Sequence, residues 1–103
     1  MSRALTQEEM QNELLEHIHN MITYWEREER AVTTREKLEG LAFSILVAID
    51  GGTELPAYAL IPVSSEADIA YYKEQGKNYY PENADDIAGC LHDRFHDVTP
   101  SIK

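Results

Sequence analysis

In the first third of the chain, apolar residues recur at steps of three and four. Met10, Leu14, Ile18, Met21 and Trp25 fall on one helical stripe. Thr6 and Glu9 form a Thr-x-x-Glu capping pair ahead of it, so the spacing predicts a helix over 7–30. Leu15 and Ile22 lie beside the stripe and widen it, which prepares the helix to pack on two neighbours or on another copy of the chain. The segment WEREERAVTT pairs charges locally and is too short to separate two helices, so a second helix is expected to fold back antiparallel to the first.

The densest apolar run follows at 33–52, TTREKLEGLAFSILVAIDGG, and any fold must bury it. Read as a helix, it opens on a Thr33/Glu36 capping pair and ends at Gly51-Gly52. Leu38, Leu41, Ala42, Ile45 and Ile49 then share one face, and Gly40, Ser44 and Ala48 form a second face of small residues that admits a close neighbour. Read as a strand, Phe43, Ile45, Val47 and Ile49 alternate with their neighbours over 43–50, and the glycines become a hairpin turn into 57–63. The helix is preferred because it accounts for both the cap and the small-residue face.

Beyond the glycines, Pro56 and Pro62 bracket AYALI, which predicts an edge strand or an extended strap with Tyr58, Leu60 and Pro62 on one face. Ser64 or Ser65 can cap a short helix carrying Ile69 and Tyr72, closed by Gly76. KNYYPEN reads as a turn. Asn83 or Asp85 can cap a last helix running through Asp97, with Ile87, Cys90, Leu91 and Phe95 on its inner side, and 98–103 reads as a frayed tail. The expected fold is therefore mainly α, with α+β as the alternative. It is one small domain over 1–103: an antiparallel helical hairpin, a short extended edge segment or small hairpin, and a C-terminal helix.

Charge narrows the function. Nineteen acidic against nine basic side chains leave a net charge of -10 and a pI near 4.7. A field of that sign repels phosphate backbones, so no direct nucleic-acid binding is expected, and a partner with a basic surface is favoured. The single cysteine, Cys90, excludes an internal disulfide, and its predicted inner position makes an inert buried thiol the expectation. No apolar secretory core opens the sequence and no run reaches the roughly 18–20 apolar residues of a membrane span, so the expectation is a cytoplasmic protein without membrane contact.

Three constellations carry candidate chemistry. On the first helix, Glu8, Glu9, Glu13 and Glu16 present carboxylates that could meet a basic partner, although a solvated face is their commoner meaning. Tyr71, Tyr72, Tyr79 and Tyr80 flank Lys73 and Lys77. Such a cluster offers Tyr79 and Tyr80 as protein-interface anchors or, alternatively, the whole set as a site that stacks a nucleotide base and holds its phosphate. The string HDRFH places His92 and His96 four apart, like a variant of the H-E-x-x-H zinc helix with Asp93 in place of glutamate. A third ligand would have to come from elsewhere, with Glu16, His17 and His19 as candidates. No metal and no cofactor are assigned, and ordinary surface histidines near a helix C-terminus are preferred.

The strings TREKLEGLAFSILVAIDGG, LPAYALIP, NYYPEN and DIAGCLHDRFH, spanning 5–96, resemble a group of small uncharacterised bacterial and prophage-type proteins. The resemblance supplies no catalytic residue. It implies a context in which small acidic accessory proteins occupy a host protein, as anti-CRISPR inhibitors do. The leading expectation is thus a non-enzymatic inhibitor of a host defence or nucleic-acid-handling protein. The alternatives are a module that sequesters a nucleotide or signalling molecule, and a metal-dependent hydrolase built on HDRFH. The generous apolar surface of the first two helices leaves room for a homodimer or higher oligomer under each.

Overall fold

Three capping boxes set where the long helices begin. In the computed structural model, which describes residues 2–98, Thr6 and Glu9 open α1 (Gln7–Arg27), Thr33 and Glu36 open α2 (Thr34–Ile49), and Ser65 and Asp68 open α3 (Glu66–Glu74). In each box a hydroxyl accepts the N–H of the third helical residue while that residue's carboxylate accepts the cap's own N–H, a device worth about 1 kcal/mol. The run 43–50 is therefore helical up to Ile49, and the fold is mainly α.

α1 stops three residues short of the expected 30. The Lys37 ammonium reaches back from α2 and donates to the carbonyls of Trp25, Glu26 and Glu28 at 3.1, 2.8 and 3.2 Å. It satisfies acceptors that the helix end would otherwise leave unpaired, and it places a cation where the helix dipole is negative. The turn that follows is locked by Arg30, whose guanidinium pairs with Glu28 at 2.8 Å and also donates to the Tyr24 hydroxyl.

The hairpin seam uses the small-residue face of α2. The Trp25 indole lies over Gly40, where a Cβ would sit 2.5 Å from its ring, and its Nε1–H donates to the Ser44 hydroxyl at 2.9 Å. Ala48, the third small residue, is fully buried. Leu14, Ile18, Met21 and Trp25 of the predicted stripe are half-buried, whereas Met10 lies beyond the seam and is exposed.

After α2 the chain reverses at Gly51, whose φ of 87° and whose approach to Ala57 suit no larger residue. The Tyr58 N–H donates to the Ile49 carbonyl, and 57–63 runs on as an extended strap. No β-strand occurs among the described residues, and Tyr58 and Pro62 turn inward while Leu60 remains exposed. α3 ends at Gly76 (φ 69°) as expected. It packs on none of the other helices, and of its side chains only Ile69 is half-buried.

The predicted C-terminal helix is largely absent. Only one α-turn, α4 (Leu91–Arg94), and a 3-10 turn, Phe95–Asp97, form where a helix from 83 or 85 onward was expected. The cause is a carboxylate that draws the backbone elsewhere: Asp86 accepts the N–H groups of Leu60 at 2.6 Å and Ala88 at 2.9 Å, and Ile87 donates to the Leu60 carbonyl. These bonds tie 86–88 to the strap instead of to a helix. Gly89 (φ 106°) and Cys90 (φ 58°) complete the break. As a result Ile87 and Cys90, expected on an inner face, are exposed. The frayed-tail expectation concerns 98–103, of which 99–103 lie outside the described residues.

The result is a plate measuring 48 × 47 × 19 Å with a radius of gyration of 17.5 Å, against about 13 Å for a compact chain of this length. Among the described residues only Ala31 and Ala48 are buried.

The seam yields a prediction. Alanine normally stabilises a helix interior by up to about 1 kcal/mol over glycine, but Gly40→Ala should destabilise the fold by about 1–3 kcal/mol because its methyl overlaps the Trp25 ring. Urea unfolding followed by circular dichroism measures this, and a stabilised variant would contradict the seam.

Candidate functional site

The most highly organised polar cluster joins the end of α2 to the start of α4. Asp50, the C-cap of α2, has a side chain that is 3% exposed. Its Oδ1 accepts the Gly89 N–H at 2.9 Å, and its Oδ2 accepts both the His92 N–H at 2.9 Å and the His92 Nδ1–H at 2.6 Å. Cys90 occupies the N-cap of α4 with no side-chain bond to its helix, so Asp50 caps that helix from across the fold. Burial pushes the Asp50 carboxyl up, but the donors from His92 and Gly89 outweigh it and hold the carboxyl below its ordinary value.

His92 is held on three sides. Nδ1 faces Asp50, Nε2 lies 3.3 Å from Asp93 Oδ1, and the ring meets the edge of Phe43 with centroids 5.7 Å apart. His96 stacks on the same Phe43 ring at 5.8 Å and meets Phe95 at 4.9 Å. Because α4 ends at Arg94, His92 and His96 do not share the continuous helix that the H-x-x-x-H reading required. The described residues contain no group of three or more His, Cys, Asp or Glu able to hold an ion. Nor does a hydrogen bond link the Cys90 thiol to His92 among them. The pair's evident work is structural: it pins the chain's last described turn to α2. His17, considered as a third ligand, lies on α1 with a buried Nε2 that has no protein partner among the described residues.

The tyrosines expected as a cluster do come together on α3 and the turn after it. Ser64, Asp68, Tyr72, Asn78, Tyr79 and Tyr80 line an open cleft of about 570 Å³. Tyr71 meets Tyr72 edge-on at 5.7 Å, and the Lys73 ammonium sits 5.1 Å from the Tyr79 ring centroid. Tyr79 and Tyr80 are 43% and 65% exposed, which keeps both available as anchors. Lys77 is exposed and reaches the cluster only through its backbone N–H, which donates to the Tyr72 carbonyl. Lys73 is engaged on Tyr79, and the Asp68 carboxylate at the cleft accepts the Ser65 N–H as part of the α3 cap.

The acidic quartet on α1 divides. Glu8, Glu13 and Glu16 are exposed. Glu9 is committed to structure: Arg3 pairs with it at 2.7 and 2.8 Å, the Thr6 N–H donates to it at 2.9 Å, and the two together hold its carboxyl at about 2. α1 and α3 do not pack on one another, so the carboxylates and the tyrosines belong to separate elements.

Neither Asp50 nor Asp86 stands in a sequence pattern that marks it as a cap for a distant segment. Cys90 reads in the sequence as part of a helix from 83 or 85, and only the structure shows it as a helix start that lacks a capping side chain. Both Glu9 and Asp50 have depressed folded values, so their stabilising contributions are complete above the ordinary carboxylate range and are lost as pH falls through the folded values. Acid titration by amide NMR should therefore release 89–92 only below the ordinary carboxylate range, and the start of α1 as Glu9 is protonated toward about 2. In Asp50→Ala the Gly89 and His92 amides should already be unprotected at neutral pH. Retained protection there would contradict the capping role. No protein-family model matches the chain, and no curated protein or solved structure matches it either.

Proposed function

We propose that this chain is a non-enzymatic acidic binding protein that captures a partner with a basic surface. The observation that carries this reading is the exposed anchoring equipment on a chain of net charge -10: Glu8, Glu13 and Glu16 along α1, and the exposed Tyr79 and Tyr80 on the arm 66–82, whose helix α3 has no extensive packing on the other described helices. Exposed carboxylates steer and orient a cationic surface, and tyrosines supply contact area at low entropic cost. The ordered polar cluster at Asp50 and His92 is consumed by holding the fold together, which leaves these exposed groups free for recognition.

The finer form of the reading follows from the resemblance to prophage-type proteins: the partner is a host defence or nucleic-acid-handling protein whose cationic groove the chain occupies. A protein with such a groove would accept carboxylates in the places where it otherwise takes phosphates.

Affinity capture from a bacterial lysate tests the proposal. Glu9 is left intact because it caps α1, and Glu8→Gln, Glu13→Gln and Glu16→Gln are combined. The wild type should retain a basic protein at physiological salt, and the triple variant should lose it by at least tenfold, about 1.4 kcal/mol. Tyr80→Ala should weaken capture by a similar factor or more. Equal retention by wild type and triple variant would remove the electrostatic basis of the proposal.

A further inference from the structure

The single chain leaves its own folding core uncovered. α2 is apolar nearly all round, and every residue from 41 to 47 is only half-buried, although a helix of that composition belongs inside a protein. The exposed area is 8611 Å², whereas a compact monomer of this mass exposes about 5,900 Å². Residue 1 and residues 99–103 contribute about 1,000 Å² of the difference at most, even at unfolded-chain exposure. About 1,700 Å² per chain then remains beyond a compact monomer, shared between the apolar side of the hairpin and the exposed segment 66–82, and the pair's total of roughly 3,400 Å² leaves room for the 2,000–5,000 Å² of an obligate dimer.

Part of the excess lies on one side of the hairpin. At about 100° per residue, the two antiparallel helices turn Leu15 and Ile22 of α1 to the same side of the hairpin as Leu38, Leu41 and Ile45 of α2. Phe43 points to the opposite side, where His92 and His96 cover it. Leu15 is 56% exposed, Ile22 44% and Leu38 59%, with Leu41 and Ile45 half-buried, so this second side carries an apolar face that the chain itself covers only in part.

We infer that the occupant is a second copy of this chain, and that the protein is an obligate homodimer in which two α1–α2 hairpins close into a four-helix bundle about a two-fold axis. Two hairpins with short connections make that architecture, and a two-fold axis brings the same apolar face from each chain against itself. The cover is needed to complete the burial of α2, so its source must be present whenever the chain folds. Only another copy meets that condition unconditionally. The inference does not depend on capture of a basic partner, because the dimer is read from mass alone.

Sedimentation equilibrium of the full chain across a concentration series should give twice the 11.8 kDa chain mass, with an unfolding midpoint that rises with concentration. A monomer mass with a concentration-independent midpoint overturns the inference, and a trimer or larger assembly overturns the two-fold bundle. The double variant Leu15→Gln and Leu38→Gln provides a second arm. Both positions are exposed in the single chain, so a monomer would keep its midpoint, whereas the dimer should shift toward monomer mass and unfold at lower temperature. Complete unfolding of this variant also supports the inference, and an unchanged mass and midpoint overturn it.

Discussion

The contact between Trp25 and the small-residue face of α2 is the constraint on which the remaining structure depends. Gly40 lets the indole approach the helix backbone, Ser44 satisfies its N–H, and Lys37, one turn earlier, gathers the carbonyls at the end of α1. These three residues fix both the spacing and the antiparallel sense of the hairpin. Everything else attaches to α2: the strap through the Ile49 carbonyl, and the C-terminal turns through Asp50 and Phe43. With two alanines as the only buried residues among those described, the chain cannot rely on an interior for this organisation, so named hydrogen bonds at helix ends take over much of the positioning.

The electrostatics follow the same division. Paired carboxylates are structural: Glu9 with Arg3, Glu28 with Arg30, and Asp50 with His92. Direct hydrogen bonds from the Arg30 guanidinium hold Glu28 well below the ordinary carboxylate range, and that pair also fixes the turn between the helices. The remaining negative charge faces solvent along α1 and around the tyrosine arm, where it shapes encounters with other molecules more than it shapes the fold. Self-association and capture of a basic partner are compatible, because one uses the apolar side of the hairpin and the other its acidic edge and the arm.

The features legible from sequence were those written within a few residues. Each capping box is a pattern four residues long, and α1 and α2 start where the Thr-x-x-Glu pattern places them, while α3 starts from Ser65, one of the two caps the sequence offered. The small-residue face of α2 was legible as a place of close approach, though not as the seat of a tryptophan, because which residue fills a groove depends on the crossing of two helices. The C-terminal helix was misread for the same reason in reverse. Its apolar spacing is helical, yet Asp86 is captured by Leu60 from 26 residues away and Asp50 reaches His92 across 42. Such bonds have no local signature, and they outweigh the weak propensity of 83–90 for helix. The site reading fared likewise. The tyrosine cluster is local and came together, whereas HDRFH lost its metal-helix geometry once His92 was held by a distant carboxylate.

Hydrogen exchange mapped along the full chain tests the central claim most directly, since it asks where the protein's true interior lies. The account requires the slowest amides to fall within 41–49 of α2, covered on one side by α1 and on the other by a second chain, while those of the arm at 66–82 exchange rapidly. Amides of α2 that exchange as fast as those of the arm would show that nothing covers the helix's exposed side, and the structural account would fail with it.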